Sequence, residues 1–408
     1  LESEYFIELN FKNYRKVFKK MTMGFAQRVK RLKPEGAYAM LARAQELEAL
    51  GKDIVHLEIG QPDFQTFSHI ADAGIEAVRA GQTRYNPPSG IKELCCAIAR
   101  DAGIRRNICI SPDQVVVGPG AKPGLFFPTM ALVEPGDRVL YPDPGFPTYE
   151  AMILAAGGTP VPVPLVEEND FSFDLEVFES LINEKTKMII LNSPGNPTGG
   201  VIPERDLKEI AKAANKYDCW VLSDEIYSRL VYDRLGVPSI AGLPGMAERT
   251  VIVDGFSKTY AMAGWRLGYM IAPVPLAERL GLMMTHAVGC TATFTQFAGL
   301  EALTGPQDKV DEVVAEYETR RDLMVGGLNS IPGISCRKPQ GAFYTFPNIR
   351  ETGFSSEALA VKFLEEAGVS CLSGTDFGQH GQGYLRLCYA TSPEDINKAL
   401  DRIADCLK

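Results

Sequence analysis

The chain has 408 residues, with 42 Lys plus Arg against 51 Asp plus Glu and a formal net charge of −9, which excludes a small disulfide scaffold and argues against a surface built to grip phosphate backbones. Hydrophobic residues make up 45% and charged residues 23%, a globular balance that excludes global disorder and predicts a packed interior. At roughly one domain per ~150 residues, two or three domains are expected. Residues 1 to 33 form a locally basic arm carrying Lys12, Arg15, Lys16, Lys19, Lys20, Arg28, Lys30, Arg31 and Lys33. The chain begins at Leu1 and its first methionines are Met21 and Met23, so residues 1–22 are read as an extension foreign to the native fold, with a targeting peptide as the sharper alternative.

From about Gly51 onward, short β-branched runs alternate with amphipathic stretches, the pattern of strands and covering helices in an α/β domain. Strands are expected at Val115–Val117, Arg138–Tyr141, Lys187–Leu191, Cys219–Leu222, Thr250–Val253 and Gly268–Ile271. A helix is expected over Glu204–Tyr217, with Leu207, Ile210, Ala211 and Ala214 on one face. Such crossovers predict parallel pairing. After Leu303 the character changes to a long charged helix (Asp308–Leu328), strands at Gly341–Phe346 and Gly383–Tyr389, and a closing helix Glu394–Leu407. The fold class expected is therefore α/β: a three-layer large domain with a mostly parallel central sheet, plus a smaller α+β domain built from both chain ends. The divisions fall at 1–22, 23–66, 67–305 and 306–408.

Nine cysteines without paired CxxC spacing predict free thiols in a reducing compartment, hence a cytoplasmic protein. No run approaches the ~18 consecutive apolar residues of a membrane span. The four histidines, His56, His69, His286 and His380, include no i, i+4 pair, so no metal site is expected. Phe126, Phe127 and Trp220 read as core packing, Glu312–Arg321 as a solvated helix face, and Cys290 and Cys388 as structural thiols.

In an open parallel sheet, ligands bind beyond the carboxyl ends of the strands. Three of the expected strands end in chemistry: Asn192-Ser193-Pro194-Gly195-Asn196-Pro197-Thr198-Gly199, Ser223-Asp224-Glu225-Ile226-Tyr227, and Asp254-Gly255-Phe256-Ser257-Lys258. Taken singly, Asn196 is a turn residue, Asp224 a helix cap and Lys258 a surface lysine. Together they place an amide, a carboxylate with a phenol, and a lysine around one crevice. Pyridoxal phosphate needs this set: a lysine for its Schiff base, an acid for its pyridine nitrogen, and donors to its phenolate oxygen. Gly118-Pro119-Gly120-Ala121-Lys122 follows a strand and opens a helix, so its free N–H groups can hold a phosphate, and Arg266 adds a forked charge.

The segment Gly255-Phe256-Ser257-Lys258-Thr259-Tyr260-Ala261-Met262-Ala263-Gly264-Trp265-Arg266-Leu267-Gly268 resembles the lysine signature of class I and II aminotransferases, the aspartate aminotransferase family of fold-type I pyridoxal phosphate enzymes. The similarity runs from about Val29 to Leu407 through Tyr85-Asn86-Pro87-Pro88-Ser89-Gly90, Asn196-Pro197-Thr198-Gly199, Gly341-Ala342-Phe343-Tyr344 and Tyr384-Leu385-Arg386-Leu387. The resemblance implies pyridoxal 5'-phosphate as cofactor, Lys258 as Schiff-base lysine and proton carrier, and Asp224 as partner of the pyridine nitrogen. Asn196 and Tyr227 would bond the ring oxygen and Phe146 would stack on the ring. Ala121, Lys122, Ser257 and Arg266 would hold the phosphate, with Tyr85 reaching it across a homodimer interface. Gly60 and Arg386 would bind the substrate carboxylate, joined by Asn196. Gly255 stands where several family members carry a Ser or Thr, and Phe146 replaces a frequent Trp or Tyr. No motif-anchored basic residue fixes a distal carboxylate.

The function expected is transfer of an amino group between an L-amino acid and a 2-oxo acid in ping-pong order. The first alternative is a pyridoxal phosphate-dependent lyase or cyclase on the same fold. A pyridoxal-binding transcription regulator ranks lower, because the basic arm is too short for a winged helix. Neither nucleic acid nor membrane is expected as a partner.

Overall fold

In a computed structural model, the structure describes residues 24–408; the extension read at residues 1–22 lies outside them. The central sheet has eight strands: β2 (Val115–Gly118), β3 (Arg138–Asp143), β4 (Thr159–Val166), β5 (Ser172–Phe173), β6 (Thr186–Asn192), β7 (Trp220–Asp224), β8 (Thr250–Gly255) and β9 (Gly268–Ile271), in the order β2-β9-β8-β7-β6-β3-β4-β5. The run β8-β7-β6-β3-β4 is parallel. β9 is the exception that leaves the sheet mostly rather than wholly parallel, since it lies antiparallel between β8 and β2: only the turns of residues 256–267 separate it from β8, too few for a crossover helix.

Apolar side chains alternate across the sheet. Met188, Ile190, Leu222, Val251 and Val253 join a core formed with helices Lys122–Leu132, Thr148–Ala156 and Val274–Ala287. Ile189, Leu191 and Val221 face the opposite layer, which includes helix Glu204–Lys216. A strand covered on both faces needs apolar residues at every position, which is why these runs read as continuous hydrophobic stretches. β4 escaped the sequence reading because it runs Thr-Pro-Val-Pro-Val-Pro. Pro160, Pro162 and Pro164 recur with period two, so their missing N–H groups all fall on one side, and along that stretch β4 pairs only with β3.

Both chain ends build the small domain. β1 (Val55–His56) pairs in parallel with β11 (Val369–Ser370), while β10 (Tyr344–Thr345), β13 (Leu385–Cys388) and β12 (Leu372–Ser373) form an antiparallel sheet in the order β10-β13-β12. The strand expected over Gly341–Phe346 is cut to β10 because Ala342 adopts φ +58° and turns the backbone before it. Helix Asp308–Asn329 is not the solvated face expected of Glu312–Arg321: Arg320 and Arg321 are buried and reach Asp63 and Asp233, each at 2.7 Å. Phe126 is also more exposed than expected, at 39%. Among the described residues, no helix is long and apolar enough to cross a membrane.

Candidate active site

The register of the parallel strands sets the site. Asn192 lies beside Asp224 and Asp224 beside Val253, so the carboxyl ends of β6, β7 and β8 open onto one crevice. Asn192 fixes the first turn: its Nδ2 donates to the Asp224 carbonyl at 3.0 Å and its Oδ1 accepts from the Asn196 N–H at 2.8 Å. The Asn196 side chain then meets Arg386, whose Nη1 donates to its Oδ1 at 3.3 Å.

Asp224 is buried at the crevice floor, where its carboxylate accepts from the Tyr149 hydroxyl at 2.8 Å and the Ile226 N–H at 3.3 Å. Burial pushes it up to about 7 despite those two donors, and the nearby Asp254 and Glu225 add to the rise. A buried carboxylate held in this way suits a cationic nitrogen that would balance it. Lys258, partly buried, donates from Nζ to the Gly60 carbonyl at 2.6 Å, with the rings of Phe343 and Tyr227 at 5.6 and 5.9 Å. Burial brings it down to about 8, which favours the neutral amine relative to an exposed lysine.

Arg386 is buried between Tyr344 and Phe377, whose ring centres lie 4.5 and 4.9 Å from the guanidinium, and its Nη2 donates to the Glu58 carbonyl. Its buried Nε has no hydrogen-bond partner among the described residues. Tyr227 is buried and pairs through its hydroxyl with that of Tyr344 at 2.8 Å; burial holds it well above the ordinary phenol range, so it stays a neutral donor.

Gly118–Ala121 connect β2 to the helix that opens at Lys122. Gly120 has φ +89°, and a Cβ there would stand 2.3 Å from Nη2 of Arg266, so the backbone and guanidinium meet only because glycine occupies the turn. Ser257 is buried beside Lys258. This cradle, the acid at Asp224 and the amine at Lys258 fit the three ends of pyridoxal phosphate. Phe146 stands edge-on to Tyr149 at 5.8 Å. Lys122 turns its ammonium to Glu35, 5.3 Å over the Phe146 ring. Tyr85 is 96% exposed, its side chain at the surface of this subunit.

Sequence reasoning missed Tyr149, Asn192 and Tyr344 as site residues. Tyr149 carried a readable signal: it opens a helix three residues after Phe146, and a buried tyrosine hydroxyl needs a partner.

The profile of aminotransferase class I and II matches residues 52–403. The chain belongs to this family. It is a pyridoxal phosphate-dependent aminotransferase, 41% identical over 360 residues to an aspartate aminotransferase of Pyrococcus abyssi, covering 88% of this chain and 92% of that one. It is 39% identical to aromatic-amino-acid aminotransferase 2 of Thermococcus litoralis, covering 95% and 99% of the two chains. Among solved structures, an aspartate aminotransferase from Thermus thermophilus with maleate superposes with a TM-score of 0.89 at 36% identity, covering 94% of this chain and all of that one. An alanine aminotransferase from Pyrococcus furiosus superposes with a TM-score of 0.90 at 32% identity, over 94% and 99%.

Proposed function

We propose that this aminotransferase works in the crevice between the ends of β6, β7 and β8 and the small domain, with the divisions of the chain near residues 66 and 305. Bound there, pyridoxal phosphate supplies an electrophilic carbon for the amino group and a ring that draws electrons from the substrate Cα. Asp224 keeps a proton on the ring nitrogen. Asn196 and Tyr227 donate to the ring oxygen, and Phe146 lies against one ring face. The backbone of Ala121, the helix start at Lys122, Ser257 and Arg266 hold the phosphate. Arg386 clamps the substrate α-carboxylate, aided by Asn196 and the backbone at Gly60; a forked guanidinium suits the group that every amino acid and 2-oxo acid shares. Lys258, as a free neutral amine, would be the base that takes the Cα proton and holds it at Nζ. The observation carrying this reading is the convergence of Lys258 and Arg386 on the short segment Glu58–Gly60, through two backbone carbonyls.

A second copy of the chain completes the site in this proposal. Tyr85 points outward, and its loop packs on helix Val274–Ala287 through Ser89 and Gly281, where Leu282 and Val288 are exposed as well. The neighbouring hollow of about 750 Å³ is lined by Pro119, Trp265, Arg266 and Phe294 among others. A partner seated there would bring its own Tyr85 toward Arg266.

The relatives are named for aspartate, aromatic and alanine substrates. In this chain the ammonium beside the stacking ring, Lys122, is already neutralised by Glu35, which supports a preference for donors with uncharged side chains. Borohydride reduction of the cofactor-loaded protein followed by peptide mass analysis tests the assignment: the cofactor mass is expected on the Lys258 peptide, and its appearance on another lysine refutes the reading.

A further inference from the structure

Glu58 is a fully buried carboxylate that the reaction does not use. Its Oε1 lies 2.7 Å from Nδ1 of His56, while its Oε2 has no partner among the described residues. The other ring nitrogen of His56 lies 3.1 Å from Oε1 of Glu48 on helix Gly36–Ala49. An imidazole is thus held between two carboxylates, one inside the core and one at its edge. A buried carboxylate without a counter-charge is expensive, and His56 is the cation in reach.

The same segment carries the site. The Glu58 carbonyl accepts from Arg386 and the Gly60 carbonyl from Lys258. The Leu57 N–H donates to Ser370 and the Leu57 carbonyl accepts from the Cys388 N–H, so β11 and β13 fix the backbone on either side. We propose that His56, with Glu58 and Glu48, is a positioning residue for Arg386: as imidazolium it anchors the Glu58 side chain, and that anchor sets the carbonyl that aims the guanidinium at the substrate carboxylate. This rests on the reading of Arg386 as the carboxylate clamp.

The consequence is a pH dependence of substrate affinity. Burial works against the imidazolium, but Glu58 and Glu48 outweigh it and leave His56 above its ordinary 6.5. The groups facing it are few. Helix Gly36–Ala49 contributes Glu48, with Arg43 engaged by Glu46 and Glu365. Helix Pro393–Cys406, which packs on β1, carries Lys398 and Arg402, both engaged with Asp53. β11 offers Ser370, followed by the Cys371 thiol, and β13 offers Arg386 and the Cys388 thiol. Because the folded-state value is raised, the stabilisation is complete below 6.5 and is lost as pH climbs through the folded value. KM for the amino acid should therefore rise on the alkaline side.

The test uses the cofactor-loaded enzyme and its E58Q, H56Q, E48Q and R386K variants between pH 6 and 9. Three quantities are read: kcat and KM with one amino-acid donor, Kd of a non-reacting carboxylate by absorption titration, and the His56 midpoint by NMR of labelled histidine. E58Q should raise KM and Kd roughly five- to tenfold at pH 6.5 with kcat within about twofold, abolish their alkaline rise, and lower the His56 midpoint. E48Q, a change at an exposed carboxylate, should shift the alkaline rise to lower pH. Wild-type Kd and pH dependence in both E58Q and H56Q would overturn the relay, as would equal losses of kcat and affinity at every pH. R386K separates the two readings: unchanged carboxylate Kd in R386K refutes the clamp itself, whereas a weakened R386K beside an unaffected E58Q refutes only the relay.

Discussion

Tyr149→Phe removes one hydroxyl, 2.8 Å from the buried Asp224 carboxylate, and leaves the ring packed. A hydrogen bond to a charged group is worth roughly 1.5–3 kcal/mol, or about one to two pH units in the acceptor's midpoint. Asp224 ionises at about 7 with that bond in place; without it the midpoint moves to roughly 8–9. At pH 7.5 the ionised fraction then falls roughly three- to 25-fold. The ionised form is the one that pairs with the cationic ring nitrogen, so cofactor affinity should fall by that factor. The pH at which association is half-maximal should rise with it. Fluorescence titration of the cofactor-free protein with pyridoxal phosphate from pH 6 to 9.5 measures both. A Tyr149→Phe protein with unchanged affinity and an unmoved midpoint would refute the claim that this hydroxyl tunes Asp224.

Asp224→Asn should stabilise the cofactor-free protein while destroying cofactor affinity. A carboxylate whose folded midpoint sits above its ordinary 3.8 costs stability once pH exceeds 3.8, up to about 4 kcal/mol when fully ionised; thermal denaturation should show a gain at pH 8 roughly twice or more the gain at pH 5. Glu35→Gln frees the Lys122 ammonium, and kcat/KM for acidic donors should rise about tenfold relative to aliphatic ones; an unchanged ratio removes Lys122 from substrate selection. Tyr85→Ala should weaken cofactor binding. Mixed dimers of Tyr85→Ala and Lys258→Ala subunits should regain a normal site, because one subunit offers Lys258 and the other Tyr85; failure to complement places Tyr85 in its own subunit's site or outside it.

Part of the crevice was legible because three of its side chains stand at or just beyond the end of a hydrophobic strand. Asn196, Asp224 and Lys258 trail β6, β7 and β8, and a parallel sheet aligns such ends whatever the details of packing. What the linear order could not convey was partnership. Tyr149 and Asp224 are 75 residues apart, and only the packing of helix Thr148–Ala156 on the sheet brings hydroxyl to carboxylate. Lys122 sits at the expected helix start, yet its long stem carries the ammonium to Glu35. β4 was hidden because proline usually argues against a strand, and its three prolines are tolerated only where their period matches a free edge. In the linear sequence His56 and Glu58 are merely two polar residues separated by Leu57. Their meaning depends on β11 and β13 closing over them from the other end of the chain.

The most direct measurement is a single turnover: cofactor-loaded enzyme given one amino acid and no oxo acid, with released oxo acid and ammonia quantified per subunit. The account predicts one equivalent of oxo acid and no ammonia, with turnover resuming when a second oxo acid is added. Ammonia and oxo acid accumulating together beyond one equivalent would contradict it.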